Sequence, residues 1–142
     1  MKFKLRILLS IGPIFFLFSC SRRGCTDTVA ENYEPRAKVN SSCYYGSKAI
    51  IWYHDMASVH GATKLFYYVD GEFNGESDRS LDFYRRSYAP GSYEVQTGNT
   101  LRVNLGQEKV KTCLVLIKDE YDNVVWQKYV EFKARTTFPL EI

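Results

Sequence analysis

From Ser47 onward the apolar side chains recur at every second position, and β-branched and aromatic types dominate them. A period of two puts successive side chains on opposite faces of an extended strand, so it points to half-buried β-structure and away from helices. Lys48 to His54 reads as a first strand, with Ala49, Ile51 and Tyr53 on one face and Ile50, Trp52 and His54 on the other. Lys64 to Val69 is a second strand that ends at Asp70-Gly71, a dipeptide suited to a tight hairpin, and Glu72 to Gly75 returns from it. Ser92 to Gln96 and Thr100 to Leu105 follow, the latter with Leu101, Val103 and Leu105 inward and Arg102 and Asn104 outward. Lys111 to Lys118 is almost continuously apolar and is expected to be a central strand buried on both faces. Val124 to Lys133 places Val124, Trp126, Val130 and Phe132 on one face, with Lys128 the exception. Thr137 to Ile142 makes a last strand, which Pro139 confines to a sheet edge. No stretch of ten or more residues carries a capped, amphipathic helical pattern. The expected fold is all-β: an antiparallel β-sandwich with Ig-like layering over residues 47–142.

The first nineteen residues are built differently. Lys2, Lys4 and Arg6 precede an apolar stretch from Ile7 to Phe18, broken only by Ser10, Gly12 and Pro13, which is the layout of a secretory signal peptide. As a helix that stretch would reach about 18 Å at ~1.5 Å per residue, whereas a membrane span needs roughly 20 apolar residues. Leu17, Ser19 and Cys20 resemble a bacterial lipobox, in which the cysteine thiol receives a diacylglycerol before cleavage in front of it. The resemblance implies a mature, acylated (palmitate-bearing) lipoprotein beginning at Cys20 and held to the membrane by that lipid. Phe18 is bulkier than is usual at its position; the alternatives are a secreted protein cut after Ser19 and an uncleaved anchor.

Removing residues 1–19 changes the charge balance. The chain has 19 Lys and Arg against 16 Asp and Glu, and the discarded segment carries three of the basic residues and no acidic one, so the mature protein holds sixteen of each. With no net attraction for phosphate backbones, nucleic acid is not an expected partner. The remaining 123 residues are the size of one domain with a short extension.

Four cysteines occur, and export would place them where disulfides persist. With Cys20 acylated, Cys25 and Cys43 bracket a polar, turn-rich segment too poor in apolar residues for a core of its own. A bridge between them would supply order worth about 3 kcal/mol in the chain-entropy description. Cys113 lies in the apolar run from Val110 to Ile117 and is expected to be a buried free thiol. A bridge from Cys25 or Cys43 to Cys113 is the alternative. The expected organisation is a signal peptide over residues 1–19, a lipid-bearing and disulfide-stapled segment over 20–46, and the sandwich over 47–142.

Gly24-Cys25-Thr26-Asp27, then Ala30, Asn32-Tyr33, Pro35, Ala37, Val39 and Ser42-Cys43-Tyr44-Tyr45, resemble a short cysteine-framed motif of secreted and surface proteins of the Bacteroidetes. The match covers about twenty residues and implies a bacterial envelope protein with a small disulfide-closed module. Thr28 stands where the motif has proline, Glu34 where it has aspartate, and Asn40-Ser41 where it has acidic residues. A calcium site wants about six to eight oxygen ligands, and Asp27, Glu31 and Glu34 are the only carboxylates left, so a stapled spacer is the favoured reading of this loop. Val69 to Gly75 followed by Ala89 to Val95 resembles elements of small envelope β-sandwich modules related to PEGA domains, without their Pro-Glu-Gly-Ala signature. That resemblance implies a noncatalytic accessory or scaffold domain.

Chemistry-bearing constellations are few. His54, Asp55 and His60 could seed a metal-dependent site, but three or four converging ligands are required. No nucleophile elbow, phosphate-cradling glycine loop or paired metal-binding cysteines occur. No enzyme activity and no cofactor are expected. The segment Asp78 to Tyr88 mixes arginine with aromatic residues, the types that make binding hot spots. The plainer expectation puts Leu81, Phe83 and Tyr88 on an additional core strand with the arginines solvated. The functional alternative makes Tyr84, Arg85, Arg86 and Tyr88 a contact patch for a glycan or protein. The leading expectation is therefore a noncatalytic lipid-anchored envelope protein used for interaction or scaffolding, its partner unspecified. Ser21-Arg22-Arg23 lacks an acidic export signal, which favours the periplasmic face of the outer membrane. A glycan-binding surface lipoprotein is the alternative, and a metal-dependent enzyme around His54 and His60 ranks third.

Overall fold

The computed structural model describes residues 21–142; the expected signal segment and Cys20 lie outside the described residues. Nine strands form: β1 (Arg23–Gly24), β2 (Val39–Asn40), β3 (Tyr45–Trp52), β4 (Leu65–Val69), β5 (Glu72–Glu76), β6 (Thr100–Gly106), β7 (Val110–Asp119), β8 (Val124–Lys133) and β9 (Thr137–Glu141). Two 3₁₀ turns, Met56–Val59 and Leu81–Tyr84, are the only helical elements among the described residues. The expected all-β class is what the chain adopts.

β6, β3 and β9 make a three-stranded sheet, and β5, β4, β7 and β8 a four-stranded one. Side chains from both, among them Ile51, Leu101, Leu65, Ile117 and Phe132, enclose a single apolar core. Within these two sheets pairing is antiparallel except between β3 and β9, which run parallel with Lys48 opposite Thr137; β1 and β2 form a separate, parallel two-stranded pair with Arg23 opposite Val39. β9 lies at an edge as Pro139 requires, since proline has no N–H to give a second neighbour. The β4–β5 turn is the Asp70-Gly71 hairpin, both residues at positive φ (51° and 87°), a conformation that glycine adopts without steric cost.

The layers are also joined at their sides. The Asn74 amide on β5 donates to the Arg102 carbonyl on β6 at 2.8 Å and accepts from the Arg102 N–H at 3.0 Å, pairing with the β6 edge as a strand would. On the opposite side the chain crosses from β8 to β9, and Phe132 packs on Phe138 with ring centroids 5.5 Å apart.

Two strand expectations are corrected. β7 is central in its sheet but buried on one face only: Cys113, Val115 and Ile117 point into the core, while Leu114 and Leu116 are half-exposed. The strand buried on both faces is β3, where Ile50 and Trp52 are enclosed as fully as Ala49 and Ile51. Ser92 to Gln96 is turn and irregular chain. β3 has β6 and β9 on its two edges, and Asn74 engages the outer side of β6 at Arg102, so the segment adds no strand beside β6.

Candidate functional site

The segment Asp78 to Tyr88 caps one end of the sandwich and contains no strand. A 3₁₀ turn brings every third residue onto one side, so Leu81 and Tyr84 both face the core where a strand would have turned Leu81 and Phe83 inward. Tyr84 is 2% exposed. Its hydroxyl donates to Asp78 Oδ1 at 2.7 Å and accepts from the Asp78 N–H, and burial together with the Asp78 bond pushes the phenol up to about 12. The buried Tyr53 hydroxyl donates to the Leu81 carbonyl and fastens the turn from below.

The arginines nearby are engaged within this cap. Arg85 pairs with Asp82 at 2.8 Å and Arg86 with Glu94 at 3.8 Å, and Arg79 and Arg86 flank the Phe83 ring at 4.6 and 5.8 Å. Tyr88 is 70% exposed. Of the four residues expected to form one patch, Tyr88 is open to solvent, Arg85 and Arg86 are tied to carboxylates, and Tyr84 belongs to the core.

The histidines sit close by in separate roles. His54 Nδ1 lies 3.2 Å from the Arg86 carbonyl, Asp55 caps the first 3₁₀ turn through the Ala57 N–H, and His60 ends that turn in the left-handed region. Among the described residues no three His, Cys, Asp or Glu side chains are grouped to hold a metal ion.

Cys25 and Cys43 are joined by a disulfide, and Cys113 is a buried free thiol. The stapled segment is no free spacer: Cys25 and Ala30 are part of the sandwich core. Several motif residues have structural tasks. A Cβ on Gly24 would come within 2.6 Å of Glu34 Cβ, so only glycine allows that approach. Asn32 donates to the Ser42 carbonyl and accepts from the Tyr44 N–H, both at 2.9 Å. Asp27 ties the segment to the sandwich, accepting from Tyr45 at 2.8 Å and Lys109 at 2.6 Å. The Lys109 bond first, then those from Tyr45 and the Val29 N–H, holds the Asp27 carboxyl down at about 2. Arg135 adds a hydrogen bond to the Thr28 carbonyl at 2.6 Å. Glu34 is drawn to Arg22 and the Arg36 N–H, while Glu31 leans on Gly46, so the three loop carboxylates diverge. A cleft of about 420 Å³, bordered by Glu31, Tyr33, Lys48 and Arg135, marks the seam between segment and sandwich.

A further group of apolar side chains lies on the outer face of the four-stranded sheet. Register places Phe73 beside Tyr68, Tyr68 beside Leu116, and Leu114 beside Tyr129, with Phe66 one pair further along β4. Phe73 is 59% and Tyr129 76% exposed, and the other four are half-buried. The sequence signal was present as apolar residues at both parities of β4 and β7, which a strand buried on both faces also produces.

No helix among the described residues is long and apolar enough to cross a membrane. Compared with known protein families, characterised proteins and solved structures, the chain matches none, so its function is read from its own residues and geometry.

Proposed function

We propose that this chain is a noncatalytic, lipid-anchored protein of the bacterial envelope, attached through Cys20 on the periplasmic face of the outer membrane, whose sandwich serves as a binding or scaffold module. The observation that carries the reading is the docking of the stapled segment. Asp27, held by Tyr45 and Lys109, and Thr28, held by Arg135, make it one body with the sandwich. From Cys20 to the start of β1 at Arg23 the chain can extend no more than about 11 Å. An acylated Cys20 would therefore hold the domain against the membrane surface, where a long linker would let it roam. A binding role is favoured over a reaction because the acid–base candidates His54 and Asp55 have structural partners.

The test is intact mass of the protein recovered from bacterial membranes. A chain beginning at Cys20 and carrying acyl mass, with the acylated species lost on Cys20→Ser, is expected. An uncleaved chain, or a mature chain with an unmodified Cys20, overturns the anchor. Protease added to intact cells should leave the domain untouched, and its loss would place it on the outside.

A further inference from the structure

We propose that the outer face of the four-stranded sheet binds a neutral, soluble polysaccharide chain. The inference rests on the reading of the sandwich as a binding module and is independent of the lipid. A solvated face of an antiparallel sheet ordinarily alternates to polar side chains. Here Phe66, Tyr68, Phe73, Leu114, Leu116 and Tyr129 stand together across all four strands, a contiguous apolar patch of the kind that marks an interaction site.

Size narrows the occupant. Strands lie about 4.8 Å apart and same-face residues about 6.8 Å apart, so four strands by four rows cover about 520 Å². A stable protein–protein interface takes about 800 Å² from each partner. The face is too small for a globular partner and suits a narrow chain lying across it. A peptide added as a strand would need free backbone groups, but β4 and β7, which form the middle of the face, are paired on both edges. What the face offers is ring surface, whose electron-rich π-cloud attracts the C–H groups of a sugar ring.

Charge narrows it further. Lysines around the patch are matched by carboxylates: Lys64 with Glu76 at 2.6 Å, Lys118 with Asp122 at 2.7 Å, Lys111 with Asp70 at 3.1 Å, and Lys133 with Glu131 at 3.1 Å. An anionic polymer would have to break those pairs, whereas a neutral one leaves them as hydroxyl partners, with Gln127 and Thr112 exposed on the same face. Lys64 lies over Phe66 and Lys118 over Tyr68, at 5.2 and 5.7 Å, which leaves the more exposed Phe73 and Tyr129 as the anchors. Tyr68 and Phe73 meet edge-on at 69°, a corner that accommodates a single twisted chain rather than the flat face of a crystalline polymer.

The probe is affinity electrophoresis of the processed full-length protein, in detergent, through gels containing a soluble β-glucan, a mannan or a xylan, with polygalacturonate and an empty gel beside them. Retardation is expected in at least one neutral gel, unchanged from about 0.05 to about 0.5 M NaCl because no ion pairing is involved. Phe73→Ala and Tyr129→Ala should each weaken it about tenfold while melting as the parent does, and Tyr88→Ala at the far end should leave it intact. Free migration in all three neutral gels, retardation by polygalacturonate alone, or equal loss with Tyr88→Ala overturns the proposal. So does protein that sediments with phosphatidylcholine vesicles through Phe73 and Tyr129 while ignoring the glycans. Intact mass on the same preparation separates the two claims: an acylated protein that binds no glycan sinks only this one, and an unacylated protein that binds glycan sinks only the anchor.

Discussion

The stapled segment and the sandwich reach order by opposite routes. The sandwich encloses Tyr53, Tyr67, Ile50, Ile51, Leu65, Leu101, Ile117 and Phe132 almost completely and is held by burial. Residues 21–44 contribute little to that core beyond Cys25 and Ala30 and are held by a disulfide, by side-chain amides that stand in for strands, and by one buttressed carboxylate. A short polar segment can thus be as fixed as a core strand, provided that covalent and directional contacts replace apolar area. The loss of one such contact acts locally, whereas loss within a core is shared by its neighbours.

The hardest blow to this contrast should come from the core. Phe132→Ala removes a fully buried ring packed on Phe138 and should cost about 3–5 kcal/mol in denaturant titration. Because Cys25 and Ala30 share that core, the segment should lose amide protection with the sandwich, and a segment that stays protected would show it to be a separate unit. Replacing Cys25 and Cys43 together by serine should cost about 3 kcal/mol, expressed as fast amide exchange over residues 22–44 with β7 still protected; equal loss in β7 would erase the distinction. Asn32→Ala should cost about 1 kcal/mol, confined to the segment, because it removes two exposed hydrogen bonds.

The smallest effect is that of pH. Asp27 titrates at about 2 in the folded chain against a usual 3.8, so its contribution is complete above about pH 4 and is lost as the pH falls toward 2. Lys109 is shifted up by the same bond, so its contribution persists below the usual lysine value and is lost only in strong alkali. Docking should be flat across neutral pH. Protection of the Val29 amide, taken relative to its intrinsic exchange rate at each pH, should fall in acid, and Asp27→Asn should remove that step.

β6 was read correctly because it is buried on one face only, so Leu101, Val103 and Leu105 alternate cleanly with solvated neighbours. β7 was misread because an apolar residue on a free outer face looks the same in sequence as one in a second core. Ser92 to Gln96 has strand-forming residues but pairs with no strand, and pairing partners are not written locally. Leu81 and Tyr84 were missed as a pair because their period is three, not two. In the segment the cysteine pairing was visible from spacing and composition, while the task of Asp27 was not, since Tyr45 and Lys109 come to it from distant parts of the chain.

The parallel pairing of β3 with β9 also bears on when the protein can fold. β3 is the middle strand of its sheet, yet one of its two neighbours is the last strand in sequence, with Lys48 waiting for Thr137. Contacts so distant along the chain form late, because a long loop must close before they repay it. The smaller wall of the sandwich stays incomplete until residues 137–141 are available, and a partly made domain leaves one edge of β3 open.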